Sequence, residues 1–372
     1  MAALLGGYVS SNILSIAQEY TIPAGVLHIA PSATADPISG LVDRDLVYRA
    51  QVPGNIIFQV LTPFIEQIIR PAIYARAVAS PGQPIRAMLI HSGDGSGVYQ
   101  AQSILNTLRI NGKPAAENAE DLFRVINLGD ANDRVNNPNP SARYADVLSA
   151  TFALQPHVIV FQAAEAFTPV LSTMERLWPI DFQKPYYIAA SALTAQLPGF
   201  VGTDPALRRR TFAFMSLPDE VNPMDFTNWA LTLRSRSQDL MTPSQAISRV
   251  HGPNLYDSVY MLAYAISTLG NREPTGLNLV PGFRRLGGPG RRVKFGPAEL
   301  LGAMGDLAAG KDVDYIGING AFRYTREGDR TGLSALACVT VDGTGEAIGT
   351  KASGFVYDAR RKSTVSATLD CP

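Results

Sequence analysis

Ala87-Met-Leu-Ile-His-Ser-Gly-Asp-Gly-Ser-Gly97, followed by the amphipathic stretch 98–109, is the segment whose reading decides the fold. Residues 87–90 make a short apolar strand. Glycines and short polar residues then turn the chain, and apolar residues at helical spacing follow. The same unit recurs in both directions. Strands are predicted at 26–30, 123–128, 158–161, 186–189 and 211–216, and helices at 56–78, 144–154 and 168–177, the first interrupted by Pro63 and Pro71. Strands alternating with helices specify βαβ units, and βαβ units specify parallel sheets covered on both faces. The last third differs, with helices at 223–237, 256–269 and 298–309 and a Gly/Pro/Arg-rich stretch at 271–297 that reads as loop. Antiparallel strands are expected at 317–324, 336–342 and 354–357.

A length of 372 residues suits two or three compact units. Thirty-two basic and 32 acidic side chains leave no net charge, which argues against a nucleic-acid partner. The one basic cluster, Arg284, Arg285, Arg291, Arg292 and Lys294, is read as a solvated loop. The longest apolar runs, 88–90, 158–161 and 261–266, fall far short of the roughly 20 residues of a membrane span. The first residues lack the positive n-region and long apolar core of a secretory signal. Cys338 and Cys371 are too few for a metal site, and one disulfide or two free thiols fit equally well.

Open parallel sheets place ligands beyond the carboxyl ends of their strands. The loops at 31–37, 91–97, 162–167, 190–194 and 218–223 are therefore the ones to inspect. Ser32, Thr34, Ser92, Asp94, Ser96, Gln162, Glu165 and Ser191 supply short hydrogen-bonding groups there. Such a surface recognises a small polar head through hydroxyls and backbone N–H groups. The loop at 91–97 lacks the Lys-Ser/Thr of a phosphate-cradling P-loop and the spacing of a dinucleotide fingerprint, and no G-x-S-x-G elbow is present. His28, His91, His157 and His251 are scattered and suit packing rather than metal binding. Asp43, Asp45 and the acidic residues of 117–121 read as solvated surface, and Tyr99, Phe167 and Tyr256 as core, or as walls of a cleft. No catalytic machinery, metal or cofactor is expected.

Six segments in order then carry a resemblance: Gly6-Gly-Tyr-Val-Ser-Ser11; Ile22-Pro23 with Ala30-Pro-Ser-Ala-Thr34; Leu46-Val-Tyr-Arg49; Pro156-His-Val-Ile-Val160; Tyr256-Asp-Ser-Val-Tyr-Met-Leu-Ala-Tyr-Ala-Ile266; and Tyr315-Ile-Gly-Ile-Asn-Gly-Ala-Phe-Arg-Tyr324 with Glu327-Gly-Asp329. Together they resemble the substrate-binding proteins of bacterial ABC transporters, in the type I periplasmic binding fold and the branched-chain amino acid (Leu/Ile/Val) receptor family. The resemblance implies an α/β chain of two lobes, each a parallel sheet flanked by helices. Residues 1–84 with 219–335 would form the first lobe and 85–218 with 336–372 the second.

By the same resemblance, ligand contacts in the first lobe fall on Ser10 or Ser11 and on Ser32, Ala33 and Thr34. In the second they fall near Ser96, Ala164 and Ser191, with Asp94 and Glu165 as candidate ammonium partners; Gln162 and Tyr256 complete the candidate set. The implied function is capture of an amino acid or related small polar ligand by hinge closure, without catalysis, outside the cytoplasm, for a membrane permease. A sensing domain of the same fold is the alternative, and a cytosolic α/β enzyme acting on a phosphorylated substrate through the 91–97 loop is a third. The family begins with two further βα units, so the first lobe is expected to lack them. Its leading strand would then be an open edge, and an N-terminal fragment or second chain is expected to cover it.

Overall fold

Leu27–Ala30, Ala87–His91, Val158–Gln162 and Tyr186–Ala189 are buried at every position. Strands without polar alternation need cover on both faces, and they receive it. The computed structural model describes residues 1–7, 9–76, 80–133, 135–136, 139, 142–164, 166–190, 195–220, 222–236 and 251–372. In chain order the strands begin β1 (Ala3–Leu5), β2 (Leu27–Ala30), β3 (Val47–Arg49), β4 (Ala87–His91), β5 (Arg109–Ile110), β6 (Lys113–Pro114), β7 (Phe123–Asn127) and β8 (Val158–Gln162). They continue with β9 (Tyr186–Ala189), β10 (Thr211–Pro218), β11 (Arg291–Lys294), β12 (Val313–Gly317), β13 (Gly320–Ala321), β14 (Gly332–Val341), β15 (Ala347–Asp358) and β16 (Ser363–Ala367).

The chain divides into a first unit, Met1–Pro53 with Leu217–Gly332, and a second, Gly54–Ser216 with Leu333–Pro372. The crossings expected after 218 and 335 fall after 216 and 332, whereas the one expected after 84 falls after 53. The cause is the helix Gly54–Ala75. It seats Phe58 on Phe214 (ring centroids 5.0 Å apart) and Phe64 on Phe212 and Phe355 (4.9 and 5.2 Å), all in the second unit. This helix is also long and apolar enough to cross a membrane by length and composition, with mean hydropathy 1.3, which corrects the expectation that every apolar run is too short. Its face of Ile57, Leu61, Phe64, Ile65 and Ile69 is buried, as in a core helix. Pro71 has no N–H for the carbonyl of Gln67, and the preceding turn Ile65–Ile69 widens to π geometry.

In the first unit, β1, β2 and β3 form a parallel sheet in that order, with β1 at its edge. A second small sheet pairs β11 with β12 in parallel and β12 with β13 antiparallel. The helices His251–Ser267 and Gly276–Arg284 close the core with Met261, Tyr264, Leu279 and Phe283 against Leu27, Ile29 and Tyr48. The stretch 271–297 is therefore not simply loop. Thr275 caps the second of these helices by accepting from the Asn278 N–H, and Leu279, Val280 and Phe283 are buried. The basic cluster is paired rather than merely solvated. Arg284 meets Asp45 (2.6 Å), Arg285 meets Asp312 (3.1 Å) and Arg291 meets Glu299 and Asp306 (2.7 and 2.8 Å). Arg292 pairs with Glu220, and Lys294 lies 3.6 Å from Asp225.

The second unit holds an eight-stranded sheet in the order β16-β15-β14-β10-β9-β8-β4-β7 and the separate two-stranded pair β5-β6. From β7 through β4, β8, β9 and β10 the strands are parallel, in the doubly wound order 2-1-3-4-5. The antiparallel end is β14, β15 and β16. Cys338 on β14 is bridged to Cys371, which settles the open question of the thiols. The bridge closes a loop with a sequence separation of 33 and ties the C-terminal tail to the sheet. Replacing both cysteines by serine is expected to destabilise the second unit by about 3–4 kcal/mol. Urea unfolding followed at Trp178, which lies in that unit, in a Trp229→Phe background is the check, and an unchanged midpoint would refute the expectation.

Candidate functional site

The chain leaves β2 through Pro31-Ser-Ala-Thr-Ala35, and each end of this loop is held. The N–H groups of Thr34 and Ala35 both donate to Ser10 Oγ at 3.2 Å. Arg49 Nη1 donates to the Ala35 carbonyl (2.7 Å), and Asn254 Nδ2 donates to the Pro31 carbonyl (2.9 Å). Ser10 is buried, so this serine shapes the loop, while Ser11, half-exposed, follows it in the first turn of the helix Ser10–Ile16. Ser32 and Ala33 are buried and Thr34 is half-exposed. Among the described residues the Ala33 N–H and the Thr34 hydroxyl have no hydrogen-bond partner. Buried N–H groups without a partner are rare in native proteins, and a bound ligand is one way to satisfy them.

Arg49, which fixes the far end of the loop, is fully buried. Its Nε donates to Asp329 Oδ1 at 2.8 Å, its Nη2 pairs with the same oxygen, and Nη2 also reaches Ser39 Oγ at 2.6 Å. Burial pulls the Arg49 guanidinium pKa down, and the charge of Asp329 opposes that pull.

In the second unit the strand order reverses between β4 and β8, and ligand crevices in open α/β sheets form at such a switch point. There the loop Ser92–Gly97 leaves β4, and Gln162 ends β8 opposite His91. Asp94 caps the helix Gly95–Thr107: Oδ1 accepts from the Gly97 N–H (2.8 Å) and Oδ2 from the Ser92 hydroxyl (2.7 Å). Each oxygen serves the turn with one accepted bond and keeps acceptor capacity for a further donor. Gly97 cannot be replaced without damage, because a Cβ there would stand 2.5 Å from the Ser92 carbonyl oxygen. Ser96 Oγ accepts from Gln100 one turn on. Gln162 is 5% exposed, and neither amide atom has a partner among the described residues. A cavity of about 10 Å3, room for about one water, lies at the same strand ends, its lining including Ser92, Gly129, Ala131, Tyr144 and Ala163.

Tyr256 packs among Trp229 and Tyr260 in the first unit, its hydroxyl 3.1 Å from that of Tyr260. Glu165 and Ser191 fall outside the described residues. His28 is buried near Gly6 O and Thr21. Burial pushes the His157 pKa down to about 4, and its Nδ1 accepts from the Arg86 N–H, as suits packing histidines. Residues that sequence reasoning passed over are Arg49, Asn254 and Arg330. A signal for one of them was present: Asn254, Asp257 and Ser258 recur at helical spacing on the inner face of His251–Ser267, where apolar residues belong.

No family model matches the sequence, and no curated relative matches it. Solved structures do match in fold. A leucine-binding protein of Thermotoga maritima is 13% identical with a TM-score of 0.57, over 97% of this chain and 81% of its own. A substrate-binding protein of an ABC transporter from Desulfitobacterium hafniense, in complex with Leu, is 16% identical at a TM-score of 0.53, over 94% and 79%. A solute-binding protein of R. palustris in complex with benzoate is 10% identical at 0.58, over 99% and 80%. The architecture is the type I periplasmic binding fold: parallel sheets flanked by helices.

Proposed function

We propose that this chain is the solute-binding component of an ABC transporter. It captures a small polar ligand, an amino acid or related carboxylate, at the carboxyl ends of its parallel strands. One observation carries the reading: among the described residues, polar groups stand without partners at strand-end loops in both units. They are the Ala33 N–H and the Thr34 hydroxyl after β2, and both ends of the Gln162 amide at the switch point between β4 and β8. A neutral amide, a hydroxyl and a backbone N–H suit reversible recognition of a carboxylate and its polar neighbours. The two liganded structures of the same fold hold Leu and benzoate, which share a carboxylate. These similar proteins are transport binding proteins rather than enzymes, which supports a role without catalysis.

The Cys338–Cys371 bridge supports work in an oxidising compartment outside the cytoplasm, where a membrane permease would be the partner. Calorimetric titration against L-leucine, other amino acids, amides and benzoate tests the ligand reading.

A further inference from the structure

We propose that Asn254 is a positioning residue: its buried amide sets the 31–34 loop by holding the Pro31 carbonyl. Asn254 is fully buried, and each part of its amide is engaged. Nδ2 donates to the Pro31 carbonyl at 2.9 Å and to Gln51 Oε1 at 3.3 Å. Oδ1 accepts from Asn319 Nδ2 at 3.1 Å and from Arg330 Nη1 at 3.4 Å. Two donors and one carbonyl oxygen leave a single workable orientation of the amide.

That orientation is enforced from behind. Arg330 is buried and donates to the carbonyls of Ala50 (2.8 Å), Asn319 (2.9 Å) and Ala321 (3.0 Å), with its guanidinium 3.7 Å from the centre of the Phe322 ring. It therefore cannot turn away from Asn254. Ser258 Oγ donates to the Asn254 backbone carbonyl at 2.6 Å. The loop is thus pinned at Pro31 by the helix His251–Ser267 and at Thr34 and Ala35 by Ser10. Ser32 and Ala33 lie between the pins. A loop fixed in this way loses less freedom when a ligand arrives, so the amide acts on affinity without touching the ligand.

The inference rests on the reading of this loop as a ligand contact, but its test needs no ligand, so the two can fail separately. Asn254→Asp keeps the shape of the side chain and its attraction to Arg330, replaces the two donors by an acceptor oxygen facing the Pro31 carbonyl, and adds a negative charge. In the full chain, amide hydrogen exchange at Thr34 and Ala35 is expected to rise at least tenfold, with Tyr315 and Ile316 on β12 changing less than twofold. Unchanged exchange at Thr34 and Ala35 would overturn the proposal. So would an equal rise throughout the first unit, because that is what a merely structural role produces. Should Asn254→Asp fail to fold, Asn254→Ser is read by the same two outcomes.

Discussion

Asp329→Ala is expected to destabilise the first unit by about 3–5 kcal/mol, a large part of the roughly 5–15 kcal/mol that keeps a domain folded. Arg49 is 0% exposed and Asp329 only 8%, so removing the carboxylate strands a guanidinium where water cannot reach it. The neutral acceptors Ala35 O and Ser39 Oγ remain, but neither carries the opposing charge. The variant Arg49→Met/Asp329→Leu removes both charges and is expected to lose less than Asp329→Ala alone. The sequence holds two tryptophans, Trp178 in the second unit and Trp229 in the first. Urea unfolding followed at Trp229 in a Trp178→Phe background therefore reports the first unit. A loss below about 1 kcal/mol for Asp329→Ala, the worth of an exposed pair, would show that the pair is solvated.

Ser32→Ala/Thr34→Ala is expected to weaken ligand binding at least 100-fold while the protein remains folded. Hydrogen bonds to a charged group contribute about 1.5–3 kcal/mol each, and two of them lost at about 1.4 kcal/mol per tenfold give that factor. The Thr34 hydroxyl has no structural partner among the described residues, and the loop anchors at Ser10, Arg49 and Asn254 are untouched by the change. Thermal shift separates the effects: the ligand-induced rise in Tm disappears, while the Tm without ligand moves by only a few degrees. A double variant that still responds to the same ligand places the contact elsewhere.

What the sequence made legible was local. Short apolar runs followed by glycine-rich turns announced the parallel strands, and the loops after β2, β4 and β8 were readable as candidate ligand positions because open parallel sheets place ligands beyond the carboxyl ends of their strands. What stayed hidden depends on partners far along the chain. Ser10 reads as a ligand serine, and only the fold shows its hydroxyl accepting from amides 24 and 25 residues away. Apolar spacing in 54–75 marks a buried helix but does not say which sheet buries it. Arg284 and Arg292 look solvated until Asp45 and Glu220 arrive beside them. Asp257 is an acid inside a helix, and its surroundings make it unusual. Burial pushes its pKa up to about 7 against the opposing effects of the Tyr315 hydroxyl, Arg330 and the Ile318 N–H.

Isothermal titration of the intact chain with L-leucine, the other amino acids, amides and benzoate bears most directly on the proposition that this protein holds a guest and returns it unchanged. The expected record is saturation at one ligand per chain for at least one compound, with the signal returning to baseline after every injection. Heat that persists at a steady rate would mean chemical conversion, and silence across the whole panel would mean that these strand-end loops do not receive a small carboxylate or amide; either result contradicts the account.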